Sequence, residues 1–284
     1  MIYLHSFTFP SAGREDGFLG AEKRTCYNTY YPFRVLSKNQ LSKLEFEDIT
    51  VLYGGNGSGK TTALNVMAEK TGAARESIYN STNYFKNYVQ MCDHTTAAPL
   101  PQERRIITSD DVFDYMLDLR ALNQNIHVKR GELFQEYTEN KYSDFRMKSL
   151  ADYEQLKKVN MSRRKSQSQY VRNHLMNNVR THSNGESAFI YFTEKITENG
   201  IYFLDEPENS LSPARQRELA RFIQDSARFF GCQFIISTHS PFMLAMENAK
   251  IYDLDSNPVT TSHWTDLPNV REYYNFFKEH EGEF

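Results

Sequence analysis

The feature that most constrains the fold of this chain is a glycine-rich loop between a β-branched run and a helical pattern. The loop is Gly54-Gly55-Asn56-Gly57-Ser58-Gly59-Lys60-Thr61. The run before it, Ile49–Tyr53, has the length and residue types of a buried strand. After it, Leu64, Val66 and Met67 recur at helical spacing. A strand, the pattern GxxxxGK[ST] and a helix, in that order, predict a phosphate-binding loop in an α/β domain.

Alone, such a loop predicts a bound phosphate group, and its chemistry fits a nucleotide held together with Mg²⁺. Its glycines let successive N–H groups face one centre, and the helix N-terminus adds a partial positive charge. Lys60 is expected to reach the β- and γ-phosphates, and the hydroxyl of Thr61 is expected to bind Mg²⁺. The predicted nucleotide-binding residues here are Gly54, Gly55, Asn56, Gly57, Ser58, Gly59, Lys60, Thr61 and Thr62.

A pair of carboxylates follows a second apolar run. Ile201–Leu204 predicts a strand, and Asp205 and Glu206 stand at its carboxyl end, the edge where open α/β sheets bind ligands. Asp205 is expected to hold Mg²⁺. Glu206 is expected to act as the catalytic base that orients the attacking water, a role worth about 10²–10⁴-fold in rate. Alone, an acid pair can also simply begin a loop or cap the next helix.

Two further motifs gain meaning from their order. Ser183-Asn184-Gly185-Glu186 lies upstream of the carboxylate pair, and Thr238-His239-Ser240 lies downstream, directly after the β run Gln233–Ser237. Read alone, the first is an ordinary turn before a helix. His239 alone is more often a loop or core histidine. Together with the phosphate loop and the acid pair, they describe an ATP site.

The four motifs resemble those of ABC-type ATPases. Ser183–Ser187 is similar to the signature motif, Asp205–Ser212 to the Walker B and D-loop, and Thr238–Ser240 to the switch histidine. The sequence Asn-Gly-Ser-Gly-Lys at residues 56–60 is similar to the RecF/SMC branch, whose members act on DNA. The resemblance covers most of residues 40–65 and 181–255, and the chain is identified as a small, free-standing ATPase of this AAA-type family.

The resemblance implies a fold and a mechanism. The fold is a three-layer P-loop α/β head with a β-rich N-terminal lobe and an inserted helical lobe. The active form is a head-to-tail homodimer, closed by ATP, in which one subunit's signature contacts the γ-phosphate held by the other. The implied signature residues are Ser183, Asn184, Gly185 and Glu186, and His239 is the implied catalytic partner of the γ-phosphate or attacking water. Several relatives of this type belong to anti-phage defence systems.

The chain departs from the transporter pattern. Asn184 and Glu186 replace the Gly and Gln typical of transporter signatures, which argues against a transporter subunit. The Q-loop position stays open between Gln90 and the segment Ser109–Asp111. The residue that stacks on adenine also stays open, with Tyr27, Tyr30 and Tyr31 as candidates that could equally be core residues.

We predict one ATPase domain, 1–284, with a polar, glycine-poor helical insertion at 112–182. The insertion carries a basic cluster with interleaved tyrosines, formed by Lys157, Lys158, Arg163, Arg164 and Lys165. This cluster could bind a nucleic-acid backbone, dock an acidic protein, or be a solvated helix face. The two functional hypotheses are therefore a DNA-linked or defence-associated ATPase and a regulatory module that gates a separate effector such as a nuclease or toxin.

Composition favours a cytoplasmic protein. The formal net charge is only −3, so any nucleic-acid surface must be local. Cys26, Cys92 and Cys232 form no zinc or CxxC pattern, and we predict three buried thiols in a reducing compartment. Neither a leader pattern nor a run of eighteen apolar residues is visible, which predicts no membrane association.

Overall fold

The computed structural model describes residues 1–23, 26–145, 152–175 and 184–284. These residues form two compact units, the first made of Met1–Phe113 with Asn184–Phe284 and the second of Asp114–Ser183. The strands are β1 (Leu4–Thr8), β2 (Lys43–Glu45), β3 (Ile49–Tyr53), β4 (Asp93–Thr96), β5 (Glu103–Thr108), β6 (Gly200–Asp205), β7 (Gln233–Ser237), β8 (Lys250–Asp253) and β9 (Thr260–Thr261).

The helices of the described residues follow the same chain order. They are α1 (Ala12–Ala21), α2 (Lys60–Thr71), α3 (Phe85–Met91), α4 (Ser109–Lys141), α5 (Tyr153–Arg164), α6 (Gln167–His174), α7 (Asn184–Lys195), α8 (Pro213–Phe229), α9 (Pro241–Leu244) and α10 (Pro268–Glu279). None of the helices in the described ranges is long and apolar enough to cross a membrane.

The first unit is built on a six-stranded sheet in the order β5-β6-β7-β3-β8-β9. All neighbours pair in parallel except β8 and β9. Every residue of β3, β6 and β7 is buried, as expected for parallel strands covered on both faces. Because these runs are continuously apolar, the three strands could be predicted from the sequence.

Helices cover both faces of this sheet. Leu52, Phe203 and Ile235 share one core cluster with the buried side of α2. Since successive strand residues point to opposite faces, their neighbours Val51, Leu204 and Ile236 lie on the other face. The buried residues of α8 belong to no part of the α2 cluster, and α8 packs against β7. This confirms the predicted three-layer α/β class.

The β-rich N-terminal lobe is a three-stranded antiparallel sheet in the order β2-β1-β4. The alternation of apolar and polar residues over Ile2–Phe9 is typical of an edge or meander strand, but β1 is the central strand. Gln233 explains how the two sheets are joined. Its side-chain oxygen accepts from the backbone N–H of Leu4 (2.9 Å), and its amide nitrogen donates to the carbonyl oxygen of Leu4 (2.8 Å). The side chain therefore pairs with β1 as a neighbouring strand would.

The glycine-, arginine- and aspartate-containing segment after β1 favours a loop by its composition, but the structure forms helix α1 there. No helical signal is visible in these ten residues, because they include Gly13, Gly17 and Gly20. Tertiary packing stabilises the helix: Phe18 stacks on Phe33 with ring centroids 4.9 Å apart. A second correction concerns Cys26, which is exposed and not buried as predicted.

Glu15 is the buried anchor of α1. One carboxylate oxygen accepts from the backbone N–H of Arg34 (2.6 Å) and the hydroxyl of Ser37 (2.9 Å). The other accepts from the hydroxyl of Tyr88 at 3.3 Å. Burial raises the pKa of the Glu15 carboxyl, an effect that these hydrogen bonds only partly offset. Glu15 thereby fixes the segment 34–37, which lies beside the phosphate loop.

Glu15→Ala should lower the free energy of unfolding by about 3 kcal/mol, because it leaves buried donors without their acceptor. Glu15→Gln should keep the contacts. Since the folded-state pKa of Glu15 is raised, its contribution to stability is greatest near and below about pH 4. Relative to Glu15→Gln, the wild-type protein should lose stability as the pH rises through that raised pKa.

Urea unfolding between pH 4 and 8 tests this prediction. Asp16→Ala is the matched control, because Asp16 lies on the same helix in an exposed ion pair with Arg34. Such a pair is worth about 0–1 kcal/mol. Equal losses for Glu15→Ala and Asp16→Ala would contradict the assigned role of Glu15.

The second unit is helical in its described part. It contains most of α4 together with α5 and α6, around a small core of Leu133, Tyr137, Tyr170 and Val171. Ser166 begins α6 with a capping box, in which Ser166 and Gln169 exchange side-chain and backbone hydrogen bonds. The description of the chain as one domain, 1–284, with an insertion at 112–182 stays a prediction.

Candidate nucleotide site

The parallel sheet brings the predicted motifs to one edge. Leu52 pairs with Ser237, and Asp205 pairs with Ser237 from the other side. The carboxyl ends of β3, β6 and β7 therefore meet. The loop at 54–61, the acid pair and the segment around His239 each follow one of these strands. This is the edge at which open α/β sheets bind ligands.

The glycine-rich loop curls around the amino group of Lys60. The Nζ atom donates to the carbonyl oxygens of Gly54 (2.6 Å) and Gly55 (3.1 Å). Lys60 is only 4% exposed, and burial lowers the pKa of its ammonium. Gly59 begins α2 with a φ of 97° and Gly57 has a φ of 85°, a region that favours glycine. The loop thus has the backbone geometry that its glycine spacing predicted.

The two left-handed glycines allow a matched pair of substitutions. A Cβ atom on Gly59 would stand 2.8 Å from Cδ2 of Leu36, which is buried, whereas one on Gly57 would meet nothing within 4 Å. Both alanines incur the left-handed backbone cost of about 1–2 kcal/mol. Gly59→Ala should lose about 1–3 kcal/mol more through overpacking. Denaturant unfolding measures the difference, and equal losses would contradict contact between Leu36 and the loop.

Thr61 and Asp205 form the expected oxygen pair. The hydroxyl of Thr61 donates to Oδ1 of Asp205 at 3.1 Å, and the hydroxyl of Ser237 donates to the same oxygen. Burial raises the pKa of the Asp205 carboxyl, while both hydrogen bonds lower it. A hydroxyl and a carboxylate are ligands that Mg²⁺ accepts, so the residues present fit this ion.

Glu206 adopts a strained backbone at the start of the next loop. Its φ is 48°, a conformation that costs a non-glycine residue energy and is often found at functional sites. Its N–H donates to the carbonyl oxygen of Ser237 at 3.0 Å. Its Oε1 lies 3.7 Å from Nε2 of His239, and its Oε2 accepts from Nδ2 of Asn209 at 3.1 Å.

The phosphate loop and Glu206 line one cavity of about 370 Å³. Its lining residues are Val35, Asn56, Gly57, Gly59, Lys60, Thr61, Thr62 and Glu206. Val35 belongs to the segment that Glu15 anchors, so the N-terminal lobe supplies one wall. This wall could not be predicted from the sequence, because nothing in the pattern near Val35 marks it as a binding residue.

His239 is fixed mainly through its backbone. Its carbonyl oxygen accepts from Nδ2 of Asn269 at 3.0 Å, and its ring meets that of Tyr53 edge-on with centroids 6.3 Å apart. Burial, and next the positive charge of Lys60, lower the pKa of the imidazole. Both effects favour the neutral form of the ring.

The signature-like segment is described in part. Asn184, Gly185 and Glu186 form the first turn of α7, while Ser183 lies outside the described residues. A Cβ atom on Gly185 would stand 3.3 Å from the carbonyl oxygen of Ser210. The start of α7 therefore lies beside the loop that follows the acid pair, and a side chain at position 185 would crowd that carbonyl oxygen.

The two Q-loop candidates differ in what they contact. Gln90 lies on α3 and is exposed. Asp111 is buried, and its carboxylate accepts from the backbone N–H groups of Ser77 (2.8 Å) and Thr108 (2.6 Å). Asp111 therefore ties the start of α4 to the segment at Ser77, a structural role, and the choice of Q-loop residue stays open.

The tyrosines considered for adenine stacking pack on the core. Tyr27 and Tyr30 both contact the ring of Tyr84, which is buried. Tyr31 contacts Phe85, and its hydroxyl lies 3.0 Å from that of Thr62. These contacts favour the core interpretation for all three, with Tyr31 bracing the first turn of α2.

Asp255 and Glu208 also contact the site and were missed as functional residues. Oδ2 of Asp255, in the turn after β8, accepts from the N–H of Gly55 at 2.6 Å. The carboxylate of Glu208 accepts a hydrogen bond from the backbone N–H of His239. Asp255 carries no motif that could reveal it. Glu208 lies inside the D-loop-like segment. Its closeness in sequence to the acid pair was the signal that could have marked it as a functional residue.

The basic cluster belongs to the second unit. Lys157, Lys158, Arg163 and Arg164 are exposed, whereas Lys165 is partly buried. Lys158 pairs with Glu136 at 2.6 Å, and Nη2 of Arg163 donates to the carbonyl oxygen of Ser143 at 2.6 Å. Part of the predicted positive surface is therefore used within the unit.

A phosphate loop, an acid pair and a histidine at one sheet edge define a P-loop nucleotide-binding ATPase. The family model described as "ABC transporter" matches residues 38–209, well over half of the chain, and the model described as "AAA ATPase domain" matches residues 186–244. The chain belongs to the ABC transporter family. The predicted ABC-type ATPase is thereby confirmed as a class.

Comparison with solved structures finds similar proteins at low identity. The Smc head domain of Pyrococcus furiosus bound to the C-terminal domain of ScpA is 11% identical, with 97% of this chain and 100% of that chain covered and a TM-score of 0.42. The SMC head domain of Thermotoga maritima is 11% identical, with 92% and 99% covered and a TM-score of 0.38.

A dimeric ATP-binding cassette in a post-hydrolysis state, bound to ADP and Pi, is 12% identical. The match covers 78% of this chain and 88% of that chain, with a TM-score of 0.35. No curated protein matches the sequence.

Proposed function

We propose that this protein is a Mg²⁺-dependent ATPase whose nucleotide closes a head-to-tail homodimer. The single observation that carries the proposal is the convergence of Lys60, Thr61 and Glu206 on one cavity, with Asp205 bonded to Thr61. Family membership supports ATP as the nucleotide.

The residues divide the chemistry of hydrolysis among them. Lys60 and the loop N–H groups bind the phosphates, and Glu206 accepts the proton of the attacking water. Thr61 and Asp205 would hold Mg²⁺, and the bound ion would offset the negative charge of the phosphate oxygens. His239, whose Nε2 lies 3.7 Å from Oε1 of Glu206, forms a hydrogen bond with the γ-phosphate or the attacking water.

Among the described residues, the phosphate loop and the first turn of α2 supply the anion-binding groups that line the cavity. Dimerisation is proposed because a second wall of such groups could come from the other subunit. The signature residues Ser183, Asn184, Gly185 and Glu186 are assigned to that wall in trans. Three of them form the N-terminal turn of the 12-residue helix α7, and a helix N-terminus stabilises an anion. Gly185 also contacts the loop after the acid pair, which offers a mechanical link between the two subunits' sites.

Light scattering tests the dimer. Glu206→Gln protein should be monomeric without nucleotide and dimeric with ATP and Mg²⁺, and adding Ser183→Arg should abolish the shift while ATP still binds. Ser81→Arg, an exposed serine outside the motifs, is the control and should leave the shift intact. If the protein binds ATP but its mass is the same with and without the nucleotide, the signature assignment is wrong.

We further propose that the ATP-driven motion acts on DNA, as in RecF/SMC-type proteins, and that it serves anti-phage defence, as in some relatives of this type. The exposed part of the basic cluster supports this. Lys157→Ala with Arg164→Ala should weaken DNA binding and its stimulation of turnover, with a smaller salt dependence. Lys86→Ala with Arg217→Ala removes the same charge from the first unit. Equal effects of both pairs, or no DNA binding, would refute this proposal.

A regulatory module that gates an effector is the second candidate function. Helix α10 supports it, because four aromatic residues on this helix are each more than half exposed: Tyr273, Tyr274, Phe276 and Phe277. Asn269 at the start of α10 contacts His239, so a protein bound to α10 could read the nucleotide state. An effector that co-purifies only with ATP-bound protein, without any DNA stimulation, would favour this function.

A further inference from the structure

Glu208 makes an unusual set of contacts beside the proposed catalytic residues. Its Oε1 accepts three hydrogen bonds, from the hydroxyl of Thr238 (2.7 Å), the backbone N–H of His239 (2.7 Å) and the backbone N–H of Ser240 (3.1 Å). Bonds from backbone N–H groups to a carboxylate are charge-assisted and strong. One oxygen of Glu208 therefore fixes three consecutive residues.

The rest of the carboxylate is not directed at the nucleotide. Oε2 of Glu208 is buried and has no hydrogen-bond partner among the described residues. Glu208 does not line the cavity that holds Glu206 and Lys60. A carboxylate so placed does not suit proton transfer to the attacking water. Its contacts are those of a group that orients another residue.

The residue that Glu208 orients is His239. The backbone of His239 is bound from two sides, with its N–H on Glu208 and its carbonyl oxygen on Nδ2 of Asn269 at 3.0 Å. The imidazole carries no comparable restraint, because its Nε2 is buried without a hydrogen-bond partner among the described residues and lies 3.7 Å from Glu206. The position of the ring is therefore set by its backbone.

We propose that Glu208 is a positioning residue that holds His239 against Glu206. Glu206 and Glu208 share one turn, so a shift of that turn carries the histidine loop with it. The acid that activates water and the histidine that senses the γ-phosphate then move as one unit. This inference rests on the proposed function for its kinetic consequence, but its structural claim concerns His239 alone.

The kinetic test compares three variants at this turn. Glu208→Ala should lower kcat about 10–100-fold, the scale expected when a catalytic group is misplaced by about 1 Å, while the Kd for Mg·ATP changes less than about threefold. Glu208→Gln keeps an oxygen acceptor and should recover most of the lost turnover. Adding Glu208→Ala to His239→Ala should cost nothing further, because both substitutions remove one function.

A second readout does not depend on hydrolysis. Burial lowers the pKa of His239 in the wild-type protein, and NMR titration, with the resonance assigned through His239→Ala, is the measurement. Glu208→Ala should raise this pKa toward the value of a free histidine, and Glu208→Gln, which removes the same charge, should not. The melting temperature of each variant separates local loosening from global unfolding.

The outcomes distinguish failure of the inference from failure of the proposed function. If the pKa of His239 is the same in Glu208→Ala and Glu208→Gln, the positioning role is wrong whatever the turnover. If that pKa responds as expected but Glu206→Gln still hydrolyses ATP, the proposed hydrolysis is wrong and the positioning role stands. Additive losses in the double variant, or an inactive Glu208→Gln, would make Glu208 a direct participant and overturn the inference.

Discussion

Lys60→Met weakens the binding of Mg·ATP by about two to three orders of magnitude in the expected result. The ammonium now donates to the carbonyl oxygens of Gly54 and Gly55, and it is expected to exchange these contacts for phosphate oxygens. Charge-assisted hydrogen bonds contribute about 1.5–3 kcal/mol each. We take the lower part of that range, because Lys60 gives up its contacts with Gly54 and Gly55 to reach the phosphates; losing two bonds then costs about 3–4 kcal/mol, and each 1.4 kcal/mol is about tenfold in Kd.

The same substitution should leave the stability of the nucleotide-free protein nearly unchanged. Burial lowers the pKa of Lys60, so methionine removes a desolvation cost together with the two hydrogen bonds to the loop. Isothermal calorimetry gives Kd, and urea unfolding gives the free energy. Lys70→Met is the matched control, because Lys70 lies in the last turn of the same helix, away from the loop. A change in Kd below about tenfold would mean that Lys60 is not a phosphate ligand.

The elements that the sequence predicted correctly are those with short-range causes. β3, β6 and β7 are buried on both faces, so they appear as continuous apolar runs, and their observed bounds agree with the predicted ones within a residue or two. Helix α8 also has local signals that favour a helix, since Pro213 stands in its first turn and Gly231 follows its end. The order of the motifs along these strands then places the site, since parallel strands bring their carboxyl ends to one edge.

The elements that the sequence missed depend on contacts between distant residues. Helix α1 contains three glycines and forms because Glu15 and Phe18 pack on segments that come later in the chain. Val35 reaches the nucleotide cavity only because Glu15 fixes its segment. Asp255 meets Gly55 across 200 residues of sequence. No local pattern encodes such pairs, so a single sequence cannot reveal them.

The motifs identify only some of the functional acids in the turn after β6. The acid pair Asp205-Glu206 was recognised from its place after a strand, whereas Glu208 was read only as part of a D-loop. The structure distinguishes the three acids by where their oxygens point. Asp205 accepts a hydrogen bond from the hydroxyl of Thr61, and Glu206 lines the cavity. Glu208 accepts a hydrogen bond from the backbone N–H of His239. Spacing predicts that a turn is functional, but only side-chain direction separates the roles within it.

Glu206→Gln should abolish nearly all ATP turnover while preserving ATP binding. Glutamine has the size of glutamate and can keep the contact with Asn209, but it cannot accept the proton of the attacking water. The loss of a general base predicts a fall in kcat of about 10²–10⁴-fold. The Kd for Mg·ATP should change less than about threefold, because Lys60 and the loop N–H groups are untouched.

Phosphate release at saturating ATP measures kcat, and a fluorescent ATP analogue measures Kd. Glu218→Gln is the control: Glu218 forms an exposed ion pair with Arg215 on α8, so this change should leave both quantities at their wild-type values. If Glu206→Gln keeps more than about a tenth of the turnover, the proton goes elsewhere, because a true base is worth at least about 10²-fold. The strained φ of 48° at Glu206 would then serve only to aim the loop that carries Glu208.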